Sequence, residues 1–182
     1  MPIRLRSDYE NANGRLVSAE PASVRFEAEA RNGRWPLWFR FWLSGLPRDA
    51  EVELVLANAS EVLGGLAGLQ HVQPLLREAG QPWRRCAGAM LDAEAGEFHF
   101  ACPTGPGEIE VAFCHPFSYS DLEAWLRDLP GEVGQSELAV SPGGLSVPLL
   151  RVGDARTARH GIWIAAASMR VRRLVRGRCR GC

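Results

Sequence analysis

The residues of this 182-residue chain best suited to chemistry are its cysteines and histidines. Cys179 and Cys182 have the spacing of a zinc half-site or a redox pair, but there is no second such pair and no thioredoxin-like strand-helix-strand unit. His99 and Cys102 are three residues apart, which on a strand places them on opposite faces. The other histidines have no partner at ligand spacing: His71, His115 and His160. We therefore predict no catalytic, cofactor-binding or metal-binding residue.

Three further motifs are not predicted to be catalytic or cofactor-binding. The segment 64–68 (Gly-Gly-Leu-Ala-Gly) lacks the strand-to-helix context of a phosphate loop. Asn58-Ala59-Ser60 is a glycosylation sequon, but no secretory signal accompanies it. The aromatic cluster of Trp35, Trp38 and Trp42 has two interpretations that the sequence leaves open, packing within a β-structure or contact with a further domain.

Charge divides the chain into an acidic body and a basic tail. Residues 1–167 hold 15 Arg against 21 acidic residues, a net of −6, and residues 168–182 supply six Arg. Such a tail could attract phosphates. Because it has no interleaved aromatic residues, nucleic acid is not the expected partner.

Composition favours a folded cytoplasmic protein. A hydrophobic content of 46% suffices for a globular core, and no apolar run is long enough to span a membrane. Residues 1–11 are polar, unlike a signal peptide. Cys86, Cys102 and Cys114 lie singly among apolar neighbours, which indicates packed, reduced thiols.

The first 116 residues have the pattern of short strands. Apolar side chains alternate with polar ones in five segments, 24–29, 38–44, 51–56, 97–102 and 108–114. Turn-forming residues separate these segments, and regular spacing of this kind predicts an antiparallel β-sandwich. We expect residues 58–85, which are rich in Gly and Pro, to form a long loop with a short helix.

One helix is predicted over residues 121–129. Ser120 and Glu123 form a capping box, and Pro130-Gly131 ends the helix. A hairpin of 138–140 and 147–152 and a buried strand over 161–166 then suggest the start of a second domain.

Three segments resemble the amino-terminal part of cytosolic-type zinc metallocarboxypeptidases. They are residues 38–45, residues 58–85 with Gln-Pro-Trp-Arg-Arg at their end, and residues 111–122 (Val-Ala-Phe-Cys-His-Pro-Phe-Ser-Tyr-Ser-Asp-Leu). The resemblance covers residues 20–166. It implies an antiparallel β-sandwich over 1–130, a truncated beginning of the α/β catalytic domain over 131–167, and an aberrant Arg/Cys-rich tail over 168–182.

The family's zinc motif, Arg-Gln-His-(Pro or Ala)-Gly-Glu, does not follow the strand at 162–166. Residues 167–171 read Ala-Ser-Met-Arg-Val instead. Writing Arg-Gln-His-Ala-Gly-Glu as CGC CAG CAT GCG GGT GAG and removing its first nucleotide produces codons for those five residues. We hypothesise that the tail is a shifted-frame translation of the zinc-motif region.

The resemblance implies a zinc enzyme that removes carboxy-terminal amino acids from peptides or proteins. In the intact family two His and one Glu bind zinc, a further Glu acts as general base, and an Arg binds the substrate carboxylate. Since this chain has no such residues at matching positions, we expect it to be inactive by itself and without zinc, with self-association through exposed strands. The alternative is a non-enzymatic β-sandwich interaction module whose basic tail binds an acidic partner.

Overall fold

The computed structural model describes residues 2–30, 35–154, 156–165 and 173–175, the last three through their backbone alone. The chain divides into two compact units, Met1–Pro116 and Phe117–Cys182. The domain boundaries at residues 130 and 167 stay predictions.

The first unit is built from short strands. These are β1 (Arg4–Arg6), β2 (Gly14–Glu20), β3 (Ser23–Ala28), β4 (Arg40–Ser44), β5 (Glu51–Leu56), β6 (Leu75–Glu78), β7 (Arg84–Arg85), β8 (Met90–Asp92), β9 (Glu97–Pro103) and β10 (Ile109–Ala112). A 3₁₀ helix (Ala59–Gly64) and the short α1 (Leu66–Leu69) lie between β5 and β6.

These strands form two five-stranded sheets, which confirms the mainly β fold class. The first sheet has the order β1-β4-β10-β6-β7 and the second β2-β3-β5-β9-β8. Neighbouring strands are antiparallel except β3 and β5, which are parallel. The chain between β3 and β5 passes through β4 in the opposite sheet, and this crossover lets the two strands run in the same direction.

Phenylalanines from both sheets form the centre of the core. Phe26 of β3 and Phe41 of β4 are fully buried, and their ring centroids lie 4.6 Å apart. Phe100 of β9 contacts Phe26 edge-on at 6.1 Å and stacks on Phe39 at 5.9 Å. Offset and edge-on pairs of this kind add to the hydrophobic gain from burial. The alternation seen in the sequence thus places these rings between the two sheets.

The prediction of a loop over residues 58–85 is wrong near its end. Leu75 and Leu76 are buried in β6, which pairs with β10 inside the first sheet. Only four residues form this strand, and Pro74 directly precedes it, so the apolar alternation is too short to detect.

The second unit begins with the helix α2 (Tyr119–Arg127). Its capping residue is Ser118 rather than the predicted Ser120. The Ser118 Oγ accepts a hydrogen bond from the Asp121 amide at 3.1 Å, and the Asp121 carboxylate accepts one from the Ser118 amide at 2.8 Å. Ser118 with Asp121 and Ser120 with Glu123 both have the spacing of a capping box. The structure forms the first pair, which begins two residues earlier. The described residues include no helix long and apolar enough to cross a membrane.

The predicted hairpin is present as β11 (Gly134–Val140) and β12 (Ser146–Arg151). A second pair joins β13 (Trp163–Ala165) to β14 (Arg173–Val175). The prediction of a buried strand over 161–166 is wrong, because Ile162 and Ile164 are 77% and 76% exposed. In the structure this strand pairs with β14 along one edge.

Candidate functional site

A buried carboxylate organises the outer face of the first sheet. Glu110 of β10 lies with its side chain fully buried between β4 and β6. Its Oε1 accepts hydrogen bonds from Arg40 Nε at 2.7 Å and from the Tyr9 hydroxyl at 3.1 Å. Its Oε2 accepts one from Arg77 Nε at 2.6 Å. Glu110 is therefore paired and hydrogen-bonded on both oxygens, as a buried charge requires.

The electrostatics of this cluster leave an excess of positive charge. Burial, followed by the Glu110 charge, raises the pKa of Tyr9 well above its usual range. The phenol therefore stays protonated and keeps donating its hydrogen bond. Glu110 is matched by two guanidinium groups, Arg40 and Arg77, so one positive charge remains.

Aromatic rings alternate with arginines on the same face. The Arg6 guanidinium lies over Tyr9 at 5.4 Å and over Trp42 at 5.9 Å from the ring centroids. Arg77 lies over Trp83 at 4.5 Å. Contacts of this length are cation–π interactions. The outer face of β1, β4, β10 and β6 is thus a surface of arginine and aromatic side chains, and we call it the Arg–aromatic face.

The three tryptophans of the predicted cluster have different environments. Trp38 is half-buried against the core, and its Nε1 donates to the Asn11 carbonyl at 2.8 Å. Trp42 lies on the Arg–aromatic face, and Trp35 is 66% exposed. Packing within the sandwich therefore accounts for Trp38 and not for the whole cluster.

His99 lies on the outer face of the second sheet, opposite to buried Cys102, as the spacing predicted. Its Nδ1 is 3.0 Å from Glu53, and its Nε2 is 3.4 Å from Glu97 without the alignment of a hydrogen bond. A hydrogen bond from Arg25 lowers the pKa of Glu97. Arg25 therefore holds Glu97 as a charged ion-pair partner.

The three described cysteines are free thiols. Cys86 and Cys102 are buried, and burial raises the pKa of each thiol to about 12. They are protonated near neutral pH, which makes them poor nucleophiles. Cys179 and Cys182 lie outside the described residues.

The remaining candidates have structural or solvent-exposed positions. The Asn58 side chain accepts from the Ala28 amide at 3.0 Å and donates to the Ala28 carbonyl at 2.9 Å, and so it extends the hydrogen bonding at the end of β3. Residues 64–68 lead from the 3₁₀ helix into the four-residue α1. The other histidines are exposed: His71, His115 and His160.

The described part of the chain does not fit a zinc ion. Within it, no three His, Cys, Asp or Glu side chains come together in a group able to hold a metal. A catalytic zinc site normally has three protein ligands. The described residues therefore contain no such ligand set.

The second unit exposes many apolar side chains. None of the α2 or β11 residues is buried. Large apolar side chains are exposed on both strand pairs and directly beside them: Leu138, Val140, Leu145, Val147, Ile162, Trp163 and Ile164. An open cleft of about 240 Å³ in this unit is lined by exposed residues, among them Glu132 and Arg151. Large contiguous apolar patches are rare on the surfaces of monomeric soluble proteins.

This chain is similar to solved structures of bacterial metallo-carboxypeptidases. A metallo-carboxypeptidase from Burkholderia cenocepacia matches with a TM-score of 0.73 and 21% identity, over 87% of this chain and 42% of that one. A metallo-carboxypeptidase from Pseudomonas aeruginosa, solved in complex with (2-guanidinoethylmercapto)succinic acid, matches with a TM-score of 0.70 and 22% identity, over 86% and 42%. No protein-family model and no curated protein matches the chain.

The likeness establishes the class of fold. This chain shares its fold with part of the metallo-carboxypeptidases, and it spans about two-fifths of the length of the structures that it matches.

Proposed function

We propose that this chain is the amino-terminal portion of a cytosolic-type zinc metallocarboxypeptidase. It comprises the β-sandwich and the first hairpin and strand of the catalytic domain. By itself it does not hydrolyse peptides. The observation that carries the proposal is the match over 87% of this chain to 42% of a metallo-carboxypeptidase.

The surface of the second unit supports this assignment. The exposed apolar side chains of β11, β12 and β13 lie on hairpin and strand elements that form no buried core of their own. A sheet face is stable when another layer covers it. We propose that the remainder of an α/β catalytic domain supplies that layer in the intact enzyme.

The intact enzyme, on this proposal, binds the carboxy-termini of peptides or proteins in the cytoplasm and uses zinc. The sandwich supports the catalytic domain and partly shapes access to its cleft. The described residues of this chain contribute no ligand set for the metal.

The test is a zinc and activity assay on the purified full chain. Metal content is measured by mass spectrometry, and release of carboxy-terminal amino acids is measured on a panel of peptides. The Burkholderia cenocepacia metallo-carboxypeptidase serves as the positive control. We expect no stoichiometric zinc and no release above buffer, and stoichiometric zinc with hydrolysis would contradict the proposal.

The shifted-frame origin of the tail has a separate test. Sequencing the encoding DNA should show a frame in the neighbouring register that continues as a carboxypeptidase with His and Glu zinc ligands. A neighbouring register without such a frame rules out this origin for residues 168–182.

A further inference from the structure

We infer that the Arg–aromatic face of the first sheet binds single-stranded nucleic acid. This inference does not depend on the proposed carboxypeptidase origin. Its basis is the joint presence of unpaired guanidinium groups and half-buried aromatic rings on one sheet face.

The two outer faces of the sandwich carry opposite charge. Strand alternation and register place five arginines and one carboxylate on the outer face of the first sheet: Arg4, Arg6, Arg40, Arg77, Arg85 and Glu110. The second sheet presents mainly acids there: Glu27, Glu51, Glu53, Glu97 and Asp92, against Arg15 and Arg25. A polyanion is therefore attracted to the first face and repelled from the second.

The arginines at the edge of this face are available to a ligand. Glu110 engages Arg40 and Arg77. Arg4 and Arg6 are exposed, and among the described residues neither has a carboxylate within ion-pair distance. Their N–H groups are thus free to contact phosphate oxygens, for which the guanidinium fork is well suited.

The aromatic residues favour nucleic acid over an acidic peptide. Tyr9, Trp42 and Trp83 are only partly buried, and each lies beneath a guanidinium group. Proteins that bind single strands combine basic surfaces with aromatic and arginine planes on which bases stack. An acidic side chain can use the guanidinium edges but has no base to stack. The face therefore offers more to an oligonucleotide than to a carboxylate chain of equal charge.

No continuous sequence motif encodes the Arg–aromatic face. The basic tail over residues 168–182 contains no aromatic residue. The sheet brings together aromatics from three distant segments, at residues 9, 42 and 83.

The experiment measures fluorescence anisotropy of a labelled oligothymidylate with the full chain and its variants. Trp42→Leu keeps every charge and removes one ring, and we expect it to weaken binding about tenfold, within the range for loss of a base–aromatic stack. Arg6→Gln should weaken binding about fivefold and reduce the slope of log K against log salt by about one. The matched control is Arg48→Gln, an equal charge change at an exposed loop position, which should leave the affinity within about twofold.

Three outcomes overturn the inference. Unchanged affinity in a folded Trp42→Leu variant would show that the ring has no part in binding. An equal loss of affinity in Arg6→Gln and Arg48→Gln would show that binding depends on net charge or on the tail and not on the Arg–aromatic face. Displacement of the oligonucleotide by a polyglutamate of matched charge, as efficiently as by unlabelled oligothymidylate, would identify an unspecific anion surface. If thermal denaturation shows that Trp42→Leu is unfolded, Trp83→Leu at the sheet edge takes its place with the same expected loss.

Discussion

At the scale of single residues, Glu110 is the one charged side chain that is buried among the described residues. We predict that Glu110→Gln lowers the free energy of unfolding by about 3 kcal/mol, the lower end for removing one partner of a buried ion pair. The loss arises because Arg40, with a side chain only 14% exposed, keeps its charge without a counter-ion. Arg77 is 34% exposed and can turn toward water, which limits the cost. Urea unfolding followed by tryptophan fluorescence measures the change.

The neighbouring Glu108 supplies the control for that experiment. Glu108 is exposed, so Glu108→Gln removes the same charge without burying an unpaired arginine. We expect it to change the free energy of unfolding by less than about 0.5 kcal/mol, as for ordinary surface substitutions. Equal effects of the two variants would show that the Glu110 cluster has no special role.

Sequence patterns could not identify Glu110 as buried. On β10 it occupies an outward position of an alternating strand, where a charged residue is expected to face water. Its burial comes from Tyr9, Arg40 and Arg77, which are 101, 70 and 33 residues away in the chain. By contrast, the opposite faces of His99 and Cys102 follow from strand periodicity alone, and that prediction is confirmed.

At the scale of elements, the sequence allows two different N-caps for the helix α2, Ser118 and Ser120. We predict that Ser118→Ala destabilises the helix by about 1 kcal/mol, the usual cost of losing an N-cap side chain. The hydroxyl that accepts from the Asp121 amide is then absent. Hydrogen exchange of the amides over residues 119–127 measures the opening of the helix and should become about fivefold faster.

Ser120→Ala is the matched control, because it removes the hydroxyl that the sequence pattern assigned to the cap. In the structure Ser120 is the second residue of α2, so the cap at Ser118 remains. We expect a smaller increase in exchange than for Ser118→Ala. A larger effect at Ser120 would favour the cap predicted from the sequence.

Strands with a long alternation of apolar and polar residues could be predicted from the sequence. Strands that depend on tertiary contacts could not. The segment 51–56 and the hairpin around residues 141–144 were predicted where the structure has β5, β11 and β12. The strand β6 has four residues, and its pairing with β10 supplies the stability that local pattern lacks. The parallel pairing of β3 and β5 depends on β4 joining the other sheet, which alternation does not encode.

At the scale of the whole molecule, the two units differ in how far their apolar side chains are buried. The first unit buries its phenylalanines between two sheets. In the second unit, apolar residues of the same strand propensity remain exposed on both strand pairs. Sequence alone predicted the strand at 161–166 as buried because a continuous apolar run is typical of buried strands. Burial also requires a covering layer, and the described residues of the second unit do not provide one.

The exposed apolar surface of the second unit should therefore drive self-association of the chain. We predict concentration-dependent oligomers in sedimentation velocity that persist at high salt, because hydrophobic association is not screened by ions. Ile164→Lys places a charge at a position that is 76% exposed and should shift the chain toward monomer. Val17→Lys introduces the same change on β2 of the first unit, where Val17 is 46% exposed, and should leave the association unchanged. A monodisperse monomer at all concentrations, or oligomers that dissociate equally in both variants, would show that the apolar strands of the second unit do not mediate association.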